Sequence, residues 1–306
     1  MTANRIIPVI AIACLSTGCS LRRMAVDQTA EILAASGSAV NEETDLEYAE
    51  AAIPGGLLTT EGLWRNAQDN ETLLLQLAQN YSGYAFGFIE DRAEAALARD
   101  DQQEADHQYR RARRFYLRGR RYGLFLLELR HEEFGAKMRG PLDQFEAYLR
   151  DEMEEDDVPA LFWTAYGWAS AINVARDDMT LVAELPTALA IVRRVVDLDP
   201  TYYDHSPTLF MANIYAGFPA ALGGEPERGR ELYERVIRLN RERDLLPIYM
   251  LAQTYAVSTQ NRTLFVQLLR KVIESPNLDR SKRLTNAIAR RRAARLLARV
   301  DELFYE

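Results

Sequence analysis

The chain has 306 residues, 37 basic and 45 acidic side chains, and a net charge of −8, which makes it a poor candidate for a nucleic-acid binder. Its 48% hydrophobic content is too high for a disordered chain. Two cysteines and three histidines exclude a cysteine-rich zinc site and a disulfide scaffold.

Residues 1–18 read as a lipoprotein signal peptide. Arg5 supplies the basic region, Ile6–Leu15 the apolar run, and Ser16, Thr17 and Gly18 the small residues before Cys19. The run is about half the ~20 residues that a bilayer crossing needs. The pattern predicts cleavage before Cys19 and acylation of Cys19, although Ser16 stands where leucine is preferred and Leu15 lies one place earlier. Cys14 leaves with the signal, so no disulfide is expected. Each buried methylene contributes only ~0.8 kcal/mol, so firm anchoring takes two or three acyl chains. Ser20 follows the lipid site, where an aspartate would favour inner-membrane retention. The expected location is therefore the periplasm, lipid-anchored to a membrane, with the outer membrane favoured.

Residues 19–44 read as a lipid anchor and polar tether with one short helix near Met24–Ala35. Residues 45–306 read as an all-α domain. Apolar residues recur at helical spacing in run after run, prolines sit at first turns, and Gly/Pro clusters punctuate them. Four pairs of runs follow the tetratricopeptide pattern, in which a small residue lets two helices approach closely. The first pair is Leu74, Leu77, Ala78 and Tyr81, then Ala105 and Tyr109. The second is Trp163, Tyr166, Gly167 and Ser170, then Ala188 and Val192. The third is Thr208, Met211, Ala212 and Tyr215, then Gly229 and Tyr233. The fourth is Ile248, Leu251, Ala252 and Tyr255, then Leu264 and Leu268. The spacing is irregular and mostly longer than the standard ~34 residues. Ser281–Phe304 reads as a capping helix with Leu284, Ile288, Leu297, Val300 and Phe304 inward and its arginines outward. Together these predict degenerate tetratricopeptide-like helical hairpin repeats, an α-solenoid with a C-terminal capping helix.

Several stretches resemble the T-component family of tripartite ATP-independent periplasmic (TRAP) transporters. They are Asp45–Leu63, where a helix ending at Pro54 precedes a second one with Glu61, then Leu73–Glu94 with its Tyr/Phe series, and Leu161–Asp178. The Gly-Gly-Glu-Pro turn within Ala221–Asn240 and the hairpin Met250–Pro276 complete the set. Tyr202–Pro207 departs from it, because a more glycine-like approach to the next helix is expected there. The resemblance implies a lipid-anchored periplasmic protein that partners a TRAP-type substrate-binding protein feeding a permease, and that forms a homotrimer. It implies no catalysis. The alternative is a general tetratricopeptide lipoprotein that scaffolds envelope or outer-membrane assembly.

No catalytic motif is present: there is no GxSxG, no Walker loop and no HExxH. No metal site and no cofactor are expected. The acidic run Asp151–Asp157 lacks the alternating oxygens and central glycine of a calcium loop, and His107, His131 and His205 lie far apart. The arginines of 107–121 and 282–299 read as solvated faces. The aromatics leave two readings open, core packing or the lining of a concave ligand or partner groove. The groove set is Tyr81, Tyr84, Phe88, Trp163, Tyr166, Asn173, Tyr215 and Tyr255. Tyr84 and Asn173 would supply its polar contacts, and a small organic acid or apolar molecule would be its ligand.

Overall fold

The computed structural model describes residues 6–218, 220 and 223–304, with side chains from residue 23 onward. The described residues form helices and no strand, as the periodicity predicts. The expected signal peptide and the lipid site Cys19 carry side chains outside the described residues. Among the described residues no helix is long and apolar enough to cross a membrane.

The first helix, α1 (Ile6–Asn41), departs from the expected tether. It continues well past the short helix predicted from Met24 and docks on the body. Val26 and Ala30 bury against Ala67 and Leu73. Asp27 accepts from Asn70 at 2.7 Å, and Arg23 pairs with Asp69 at 2.7 Å. The sequence hides this because, from residue 23 onward, α1 buries only Val26 and Ala30.

Next comes α2 (Leu46–Trp64), capped by Asp45, and it too differs from expectation. It is one helix running through Pro54, since a single lost amide donor can be carried when the flanking turns remain paired. Helix α3 (Glu71–Tyr84), capped by Asn70, passes through a π-helical turn at Ala85–Glu90 into α4 (Asp91–Leu97). The long α5 (Gln102–Arg130) returns antiparallel along α3 and leads to the short α6 (Phe134–Met138) and α7 (Leu142–Glu152). The second hairpin is α8 (Val158–Asn173), the one-turn α9 (Met179–Val182) and α10 (Leu185–Leu198). The third pairs α11 (Tyr202–Gly217) with α12 (Pro226–Leu239). The fourth is α13 (Leu246–Leu251), a second π turn at Ala252–Ala256, and α14 (Arg262–Glu274). Helices α15 (Arg283–Leu297) and α16 (Val300–Leu303) close the chain.

The pairing of hairpins rests on the small residues of the repeat pattern. A Cβ on Gly167 would lie 2.8 Å from the Tyr116 carbonyl oxygen on α5. A Cβ on Gly229 would lie 2.6 Å from the Ala216 amide nitrogen on α11. These helices touch backbone to backbone, which excludes any larger residue. Around the contacts lies one large core from α2 to α11, with Leu74, Leu77, Phe162 and Ile191 buried, and a smaller one under α13–α16.

The acidic run ends in a cap. Asp157 accepts from the Glu154 amide at 3.1 Å and lies 3.0 Å from His131 and 3.4 Å from Arg130. No cluster of metal-ligating side chains exists among the described residues. The expected glycine-like approach to the third hairpin has a counterpart inside the span of α11, whose first turn is not right-handed helix. Tyr203, Asp204 and His205 carry φ of 46°, 56° and 66°, a left-handed turn that L-residues adopt at a cost of ~1–2 kcal/mol each. Asp204 is held there by Lys282 at 2.5 Å, and Tyr203 by Gln79 at 3.1 Å.

Candidate functional site

The sequence places eight residues in one groove, and the structure distributes them. Tyr81, Tyr84 and Phe88 are core, 2%, 6% and 2% exposed. Their rings pack against Phe115 and Tyr122 of α5 and against each other. Trp163 and Tyr166 join an aromatic cluster with Phe162, Tyr202 and Phe210. Tyr215 lies beneath Arg228, 4.2 Å from ring to guanidinium, and Tyr255 donates to Glu227 at 2.6 Å. They do not line one surface. The reason is packing: Tyr81 donates to Glu61 and Tyr255 to Glu227, so whole rings can be buried between paired helices.

Asn173 alone of the eight lines a cavity of about 520 Å³. This cavity lies where the chain closes on itself. The first π turn and α4 supply Glu90, Glu94 and Leu97, α5 supplies Tyr109, and the end of α8 supplies Asn173, Val174, Arg176 and Asp177. The fourth hairpin and terminal helix supply Tyr249, Gln253, Arg292, Arg295, Leu296 and Arg299. Both π turns thus border it, through Glu90 and Gln253. A π turn inserts one residue, re-aims the side chains around it, and is frequent at functional sites.

The expected outward arginine face of the capping helix turns inward here. Arg292 is 2% exposed. It lies 3.4 Å from Asp91 and 3.4 Å from Glu94, donates to the Phe86 carbonyl, and stacks on the Phe86 ring at 4.5 Å. Arg295 reaches Asp91 at 2.6 Å and Glu94 at 2.7 Å, while Arg291 reaches Asp91 at 2.8 Å. The three arginines face inward because carboxylates some 200 residues earlier stand opposite them. Leu284, Ile288 and Phe304 bury as predicted.

Glu90 differs from its two acidic neighbours. It keeps some accessible surface along the cavity yet lies deep between helices, and Tyr116 donates to it at 2.5 Å. Burial pushes its carboxyl up to about 7, against the pull of the Arg292 charge. Burial, with the nearby Glu94, pushes Tyr109 up to about 12. Burial opposes the Arg292 charge, and Glu94, Tyr249, Glu90 and Asp91 more than offset that, so Arg292 stays ionised. The site offers buried cations, phenol donors, an amide and the apolar walls Leu97, Val174 and Leu296. Such a set suits an anion attached to an apolar body.

The family model described as TRAP transporter T-component matches residues 42–304, nearly all of the helical array. The chain belongs to this family. The chain is also similar to an uncharacterized protein of Treponema pallidum (strain Nichols), 25% identical over 307 residues and covering 95% of each chain. Sequence reasoning missed Glu90, Arg292 and Arg295 as a site. Their one local signal was the acids at 90, 91 and 94 and the arginines at 291, 292 and 295, two charge clusters on helices with many alanines.

Proposed function

We propose that the protein is a periplasmic, lipid-anchored accessory subunit of a TRAP-type transport system that holds a substrate-binding protein near the membrane. Family membership across residues 42–304 carries this reading. The small-residue box before Cys19 supports the anchor, and Ser20 supports the outer membrane as its place. Helical hairpin arrays present broad surfaces suited to a folded partner. The role is transport rather than catalysis, and the subunit works as a homotrimer. The cavity between the π turns binds a small ligand, either taken from the docked protein or passed to it. Purified protein titrated with the TRAP-type binding proteins of its own organism tests the docking. Binding at micromolar concentration is expected, and its failure with every such protein overturns the reading.

A further inference from the structure

The eight arginines of α5 divide by what they meet. Arg111 donates to Gln108 at 2.7 Å, and Arg113 pairs with Asp178 at 2.5 Å. Arg118 pairs with Glu61, Arg120 with Glu184 at 2.9 Å, and Arg130 with Glu71 at 2.6 Å. Arg110, Arg114 and Arg121 are different. All three are exposed, and none pairs with a carboxylate among the described residues. Their spacing is i, i+4, i+11. At the helical repeat this puts them within about 40° of one another around α5, along about 16 Å of its length. The half-buried Leu117 lies between them. Phe125, 41% exposed, extends the stripe at one end, where its ring stacks on Trp64 at 6.1 Å.

This stripe does nothing for the fold. Arg110 and Arg114 are like charges one turn apart, which opposes the helix. Neither they nor Arg121 neutralise a buried carboxylate. In a chain of net charge −8 they leave a local positive excess between the exposed Asp106 and Glu128. Exposed arginines beside an exposed aromatic ring have the composition of a protein docking face. The charge selects the chemistry of the partner, since guanidinium groups pair in two-pronged fashion with carboxylates. An anionic bilayer fits less well. It is broad and flat, and it would also meet the exposed Glu128, Glu132 and Glu133 at the end of α5.

We propose that this face of α5 docks an acidic surface of a folded protein, and that this protein is the TRAP-type substrate-binding protein. The inference rests on the proposed docking role and assigns it a face. Carboxylates of the partner pair with Arg110, Arg114 and Arg121, and an apolar residue covers Leu117 and Phe125. The arginines steer encounter and so act on the association rate, while Phe125 acts on dissociation.

Surface plasmon resonance of the full chain with each purified TRAP-type binding protein of its own organism tests this. Wild-type association should slow about tenfold between about 50 mM and about 500 mM salt. Arg110→Glu, Arg114→Glu and Arg121→Glu together should slow it about a hundredfold at low salt. Lysine at the same three positions should keep the fast association, because the charge is kept. Phe125→Ala should raise the dissociation rate about tenfold. Arg235→Glu with Arg270→Glu, on the exposed faces of α12 and α14, should change neither rate. Circular dichroism checks the folding of every variant. A triple reversal that binds as wild type does overturns the face and leaves docking itself standing. A control pair that slows association as much as the triple reversal also overturns it, since net charge alone would then be at work. Wild-type protein that binds none of these partners overturns the docking role and the face together. Loss of binding to phosphatidylglycerol vesicles, or a changed sedimentation of the free chain, with protein docking intact, would give the face to a lipid surface or to a second copy and overturn the inference.

Discussion

Glu61 shows how one buried carboxylate organises its surroundings. It is 4% exposed, accepts from Tyr81 at 2.7 Å and Arg65 at 3.0 Å, and pairs with Arg118. Burial alone would raise its pKa. The hydrogen bonds from Tyr81 and Arg65 and the charge of Arg118 outweigh burial and hold it below its ordinary 4.5. The folded state therefore prefers the ionised form. This contribution is fully present above about pH 4.5 and is lost as pH falls through the lowered value. Tyr81→Phe should cost ~1–2 kcal/mol at neutral pH, and the difference from wild type should shrink in acid, as read from urea midpoints. The left-handed turn gives a prediction of the opposite sign. His205→Gly should stabilise the protein by ~0.5–1 kcal/mol, because relief of the left-handed conformation exceeds the extra chain entropy of glycine. A lower denaturation midpoint would show that the turn is not strained.

At the scale of the element, helices and their pairings were legible because each hairpin carries its own pattern. Ala78, Gly167, Ala212 and Ala252 mark close approaches, and three of the four, the alanines, are 0% exposed. Gly229→Ala should cost ~1–3 kcal/mol, since its Cβ meets the Ala216 backbone, which cannot step aside. Thermal unfolding checks this. The features that were not legible depend on distant partners. The capping arginines read as solvent-facing until Asp91 and Glu94 are placed opposite them. The aromatics of α3 read as core or as groove, and only the position of α5 decides for the core. The π turns leave the local apolar pattern intact, so nothing in the sequence announces them. The docking of α1 hangs on Val26 and Ala30, too few residues to stand out from a polar tether.

For the whole molecule, the arginines of α15 fasten the C-terminal end of the array to the N-terminal half. Asp91, 5% exposed, takes three of them. Asp91→Asn leaves buried guanidinium charge short of a partner and should destabilise the closure by ~3–5 kcal/mol. Amide hydrogen exchange should then speed up in α15 and around the first π turn before the α8–α10 hairpin, because the loss is local to the junction. Uniform loss of protection would mean that the array unfolds as one unit and that α15 is no separate fastening. Closure also shapes the cavity, so ligand binding should slow exchange in the same two segments. Fold, closure and site thus depend on one set of contacts between residues about 200 positions apart.

If this array serves TRAP-type transport by holding a substrate-binding protein, the two should come out of the envelope together. The most direct measurement is a pull-down from the native envelope, using protein tagged at the C-terminus with Cys19 intact and read by quantitative mass spectrometry. Enrichment of a TRAP-type substrate-binding protein over an untagged control is the predicted result. Enrichment of envelope-assembly machinery with no such binding protein would contradict it.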